Sequence, residues 1–68
     1  MQAIDVRTKL WVERDIAVAM AFNNTLVGDQ LSIHTMTDKI NLPVNKFKII
    51  EHKTDDGYHK FIIERTNI

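Results

Sequence analysis

Three histidines, His34, His52 and His59, are the side chains best suited to hold a metal or move a proton near neutral pH, and the chain has no cysteine. A metal needs converging ligands. No His-x-x-x-His pair and no carboxylate cluster at ligand spacing accompanies any of the three. A serine nucleophile would have to be Ser32, which sits in a plain alternating run without the Gly-x-Ser-x-Gly elbow that exposes a catalytic serine. Phosphate-cradling loops need several glycines, and the chain has Gly28 and Gly57 alone. The adjacent Asp55 and Asp56 resemble a carboxylate dyad, but a turn accounts for both. No residue is assigned a catalytic, cofactor-binding or metal-binding role, so the expectation is a protein that is not an enzyme and carries no cofactor.

Whether two histidines meet depends on the element that carries them. Lys46 to Arg65 holds two runs rich in β-branched and aromatic residues around Thr54-Asp55-Asp56-Gly57, the composition of a β-hairpin. A three-residue loop, Asp55-Asp56-Gly57, pairs Thr54 with Tyr58. Counting outward, Ile50 faces Ile62, Ile49 faces Ile63 and Lys48 faces Glu64, so apolar meets apolar and plus meets minus. This register sets His52 opposite Lys60 and His59 opposite Lys53, with the two imidazoles on opposite faces, where they cannot share a metal. Phe47, Ile49, Phe61 and Ile63 then form an apolar face, and Lys46, Lys48, Lys60 and His52 the other.

That lysine-bearing face, with Lys39 and Lys53 near it in sequence, makes Lys39, Lys46, Lys48, Lys53 and Lys60 the candidate contacts to a nucleic-acid backbone. Nine basic residues balance nine acidic ones, so any attraction to phosphates is local. Trp11 points instead to a protein interface. It is the odd member of an otherwise polar strand face, with Arg7 and Lys9 beside it, and tryptophan and arginine anchor many protein contacts.

The elements that must position these residues follow from periodicity. Residues 3–13 alternate, with Ile4, Val6, Thr8, Leu10 and Val12 on one side, as in a half-buried strand. The apolar run Ile16 to Phe22 alternates too, with three alanines on one side, and its seven residues suit a strand better than a helix. Read as a helix, with Asp15 as N-cap, the segment 14–24 covers one face of a sheet and makes the domain α+β. Gly28-Asp29 turns the chain into a β-prone run from Leu31 to about Thr37, which Asn41-Leu42-Pro43 ends before the hairpin. The expected fold is mainly β: four to five mostly antiparallel strands in a small barrel or open sheet, ending in the hairpin.

A second reading of the same letters exists. Leu31, Ile33, Met36, Ile40, Leu42, Phe47 and Ile50, followed by Asp55-Asp56-Gly57-Tyr58, resemble the helix-turn-helix and wing entry of winged-helix regulators. The resemblance covers residues 31–58 and implies a first helix at 37–41 and a recognition helix at 45–53 carrying Lys46, Lys48 and Lys53.

The 68 residues are expected to form one domain, 1–68, whose core is marginal at that length, and without cysteine the chain has no disulfide to add support. The longest apolar run is far below the roughly 20 residues that cross a bilayer, and the first residues lack a secretory pattern, so the expected location is cytoplasmic. The expected function is a non-enzymatic interaction or regulatory module that binds another protein or self-associates as a homodimer. The alternative is a small nucleic-acid-binding regulator.

Overall fold

Ile4 and Val6 do begin the chain as an alternating strand, but the alternation is interrupted where an acidic side chain captures the backbone. In the computed structural model, which covers residues 1–68, β1 runs Gln2–Asp5 and stops there. Asp5 Oδ1 accepts the Arg7 backbone N–H at 3.1 Å, and the Lys9 N–H donates to the Val6 carbonyl at 3.2 Å. These local bonds turn the chain out of the sheet, so the strand expected over 3–13 ends eight residues early.

The following segment is helical. Helix α1 spans Trp11–Asn23, which corrects the strand expected for Ile16 to Phe22 and bears out a helix over 14–24, but it starts at Trp11, so Asp15 lies inside it and is not its N-cap. Length misled. The apolar run alone is too short for an average helix, but Trp11-Val12-Glu13-Arg14 supplies its first turn, and Ala17, Ala19 and Ala21 favour it. Val18, Ala21 and Phe22, spaced at i, i+3 and i+4, are the positions it buries. Its C-terminal end is closed by the Thr25 hydroxyl donating to the Ala21 carbonyl at 2.8 Å.

Strand β2 (Gln30–Thr35) follows, then a 3₁₀ turn at Val44–Lys46, then β3 (Phe47–Asp55) and β4 (Tyr58–Arg65). They form one open four-stranded sheet in the order β1-β2-β4-β3. Two of its three pairings, β2 with β4 and β4 with β3, are antiparallel, whereas β1 runs parallel to β2 and is joined to it through α1. The connection is a β-α-β unit, which a parallel pair requires. Residues 45–53 therefore contain most of a strand rather than a recognition helix, and 37–41 form no helix, so the winged-helix likeness does not extend to the structure. β-branched density in β3 and its pairing partner in β4 decide that outcome.

The hairpin itself is present, with a different loop. Asp55 pairs with Tyr58, leaving a two-residue turn in which Asp56 (φ 50°) and Gly57 (φ 83°) are both left-handed. That is the turn type for which Asp-Gly is preferred, because it matches strand twist. Thr54 then pairs with His59 instead of Tyr58, Lys53 with Lys60, His52 with Phe61 and Glu51 with Ile62. At Ile50 the register slips by one, and beyond it Ile49 faces Ile63 and Lys48 faces Glu64, as expected. The shorter loop and the bulge cancel each other. Every partner between them differs from the expected register, including Ile50, which does not face Ile62.

One face of the sheet carries the core. Leu31, Ile33, Phe61 and Ile63 are at most 2% exposed and pack with Val6, Val18, Ala21 and Phe22. Ile40 and Leu42, in the long connection before β3, pack against the same cluster, as does Phe47. The other face carries charged residues in cross-strand rows, and α1 covers the core face, its backbone nearest β1 and β2 and its Phe22 ring reaching Phe47 of β3.

Candidate interaction surfaces

The helix that covers the core is apolar on its outer side as well. Val12, Ile16 and Met20 recur every four residues and form a stripe opposite the buried Val18, Ala21 and Phe22. Ile16 is 55% exposed and Met20 62%. Near the N-terminal end of the helix Leu10 and Trp11 are 71% and 68% exposed, Trp11 on the side of Val18, which it precedes by seven residues, and past the other end Leu26 and Val27 are exposed too. A helix on a monomer surface ordinarily turns polar residues outward. Here Glu13 and Asn23 are the exposed polar residues of α1.

Trp11 keeps its place as an exposed anchor, but its expected companions are elsewhere. Arg7 and Lys9 lie in the turn between β1 and α1, not beside Trp11 on a strand face. Arg7 donates from Nε and Nη2 to the two carboxylate oxygens of Asp5 at 2.9 and 2.7 Å, and its guanidinium sits 5.4 Å from the centre of the Tyr58 ring. The Asp5 carboxyl is lowered from 3.8 to about 2, first by the Arg7 side-chain hydrogen bond and then by the Arg7 backbone N–H. The sign follows directly. A depressed carboxyl contributes stability above its ordinary value near pH 4 and loses it as pH falls toward 2. A side-chain NMR titration is expected to place the Asp5 midpoint near 2 in the parent chain and closer to 3.8 in Arg7→Gln. Unchanged midpoints would show that the fork does not hold the carboxylate.

The five lysines separate. Lys48, Lys53 and Lys60 share the open sheet face, the first facing Glu64 with Nζ 3.6 Å from its carboxylate and the second 3.2 Å from Glu51. Lys46 ends the 3₁₀ turn at the far end of β3, and Lys39 lies near Arg14 and Asp15 on the α1 side. The histidines regroup as well. His52 and His59 stand on one face, with His52 Nε2 and His59 Nδ1 2.9 Å apart, one nitrogen donating and the other accepting. This overturns their expected separation, and the cause is the two-residue loop. The His52 ring also stacks on Phe61 at 4.0 Å between centres. No third histidine, cysteine or carboxylate joins the pair to complete a metal-ligand group.

Sequence reasoning missed the outer stripe of α1 because it set Val12 and Ile16 on the buried side of strands. The signal was present in the letters: a 13-residue segment with apolar residues at every helical angle. No helix of the protein is long and apolar enough to cross a membrane. No protein-family model matches the chain, and no curated protein is similar to it.

Proposed function

We propose that the protein is a non-enzymatic interaction module that self-associates through the outer face of α1, with Ile16 at its centre and Trp11 at its N-terminal edge. The observation that carries this reading is the exposed stripe of Val12, Ile16 and Met20, with the exposed Leu10 and Trp11 near its N-terminal end, on an element whose opposite side already fills the core. Contiguous apolar surface of this kind marks interfaces more often than it decorates monomers. A second copy is the occupant that best suits so short a chain. Its core is small and has no covalent support, and oligomerisation is the remaining common source of stability at this length. Two α1 helices packed antiparallel about a two-fold axis place Ile16 against its own symmetry mate and Val12 against Met20.

Each substitution counts twice in such a contact. Ile16→Glu and Trp11→Ala, compared with the parent by sedimentation velocity, are each expected to weaken association by at least about tenfold. Both side chains are exposed, so the fold is expected to survive. Sedimentation indistinguishable from the parent in both variants contradicts the proposal. The exposed edge of β3 is a weaker alternative surface, because the bulge at Ile50 and the lysines at 48 and 53 discourage strand addition.

A second reading, binding of nucleic acid, now rests on Lys53 and Lys60, which are adjacent on the open face. It predicts affinity for single strands that falls steeply with salt and with Lys53→Glu. Salt-independent affinity counts against it.

A further inference from the structure

Antiparallel partners usually complement each other in charge, and at the hairpin end of the open face they do not. Lys53 stands directly opposite Lys60, Lys60 opposite His34 and His34 opposite Asp5, so one row across the four strands holds two adjacent ammonium groups, an imidazole and, at its far end, a carboxylate. Like charges directly opposite are destabilising. Lys60 is half-buried and forms no ion pair, although Lys48 on the same face has Glu64 and Lys53 has Glu51. The row is part of the wall of a cleft of about 300 Å³ that Arg7 and Tyr58 also line. Of the cations that line it, Arg7 is paired with Asp5 and Lys53 with Glu51, Asp55 supplies a carboxylate, and Lys60 is the one without an ion pair. The Tyr58 hydroxyl and the His34 ring make no side-chain hydrogen bond of their own to the protein, so both are free to donate.

We infer that this cleft is a binding site for a phosphoryl group, with Lys60 as its central ligand, Lys53 and His34 on either side and Tyr58 and Arg7 at the rim. The group missing from a half-buried ammonium flanked by other donors is an acceptor with several oxygens and negative charge, which a phosphoryl group supplies. Such a ligand relieves the repulsion between Lys53 and Lys60 that the empty row carries. The phosphoryl group belongs either to a small phosphate ester or to a single strand of nucleic acid, and the chemistry at Lys60 is the same for both. The site lies on the sheet, away from α1, and stands whether or not the protein self-associates.

The test is an amide NMR titration of the intact protein with inorganic phosphate at fixed ionic strength, followed by a nucleoside monophosphate and a short oligothymidylate. Saturable shifts are expected at His34, Lys53, Tyr58 and Lys60. Lys60→Glu is expected to weaken phosphate binding by at least about tenfold, because it replaces the central donor by a like charge. Asp55→Asn, which removes the cleft's carboxylate, is expected to tighten it, and Lys46→Glu, at the far end of β3, to leave it unchanged. Tighter binding of the oligonucleotide than of the monophosphate assigns the phosphoryl group to nucleic acid, and the reverse order assigns it to a small ester. Absence of saturable shifts, shifts centred on Lys46 and Lys48, or a Lys60→Glu variant that binds phosphate as the parent does, each overturns the inference.

Discussion

Truncating Phe61 to alanine is expected to leave much of the population unfolded at room temperature. Phe61 is 2% exposed, sits in the centre of the sheet opposite Ile33, and supports the His52 ring at 4.0 Å. Removing a fully buried phenylalanine costs about 3–5 kcal/mol through lost transfer energy and the cavity left behind. A chain of 68 residues is stabilised by roughly 3–10 kcal/mol in total, so the loss is of the same order as the whole. Neighbours cannot collapse into the gap, because Ile33 and Ile63 are fixed by strand pairing on both sides. Thermal melting followed by circular dichroism checks this. Phe61→Leu, which retains most of the volume, is expected to lose about half as much or less. A Phe61→Ala melt close to that of the parent would show that the core is not centred on this residue.

Arg65 is expected to be the most sensitive polar position. Its Nη1 donates to the Phe22 carbonyl at 3.0 Å and the Thr25 carbonyl at 2.9 Å, and its Nε and Nη2 donate to Asn67 and Ile68. The guanidinium also lies 4.7 Å from the centre of the Phe22 ring. One side chain thus ties the C-terminal end of α1 to the last strand, where a cation also suits the helix dipole. Its backbone joins the same knot, with the Gly28 N–H donating to the Arg65 carbonyl at 2.8 Å and the Arg65 N–H to Asp29 at 3.0 Å. Arg65→Ala leaves the half-buried Phe22 and Thr25 carbonyls without that donor and is expected to cost about 2–3 kcal/mol. For a domain this small that is a fall in Tm of roughly 10–20 °C. Arg65→Lys restores the charge but not the fork, and is expected to recover the smaller part of the loss. Full recovery by lysine would mean that charge rather than geometry holds the helix end.

Arg65 gave no sign of itself in the sequence, since nothing local tells a strand-terminal arginine that its partners lie some forty positions away. The hairpin was far more legible. Asp-Gly between two β-branched runs announces a turn, and Ile49 with Ile63 and Lys48 with Glu64 are partners whose chemistry reveals their pairing. Yet a correct far end hid an error near the turn. A two-residue loop and a one-residue bulge at Ile50 give the same partners beyond Ile49 as a three-residue loop without a bulge, and the side chains between decide nothing by themselves. The consequence fell on His52 and His59, which moved from opposite faces to hydrogen-bonding distance.

The helix was hidden for a different reason. Residues 3–13 and Ile16 to Phe22 each alternate well enough to satisfy a strand, and the decisive events are the Asp5 capture of the Arg7 N–H and the burial of Val18, Ala21 and Phe22, both tertiary or conformational. The same ambiguity concealed the outer stripe. Residues that alternate as a strand and are apolar nearly throughout become a helix with two apolar sides, and the second side is the candidate interface. Trp11 is exposed even though the strand on which it was expected ends at Asp5 and its supposed neighbours Arg7 and Lys9 dispersed, whereas Leu10, expected on the buried side of that strand, is exposed as well.

The central claim, that the outer face of α1 holds two copies together, is tested most directly by the mass of the purified protein in solution. Light scattering across a dilution series is expected to give a mass approaching twice the 7.9 kDa chain at high concentration and falling toward one chain on dilution. A mass of one chain at every concentration would contradict it.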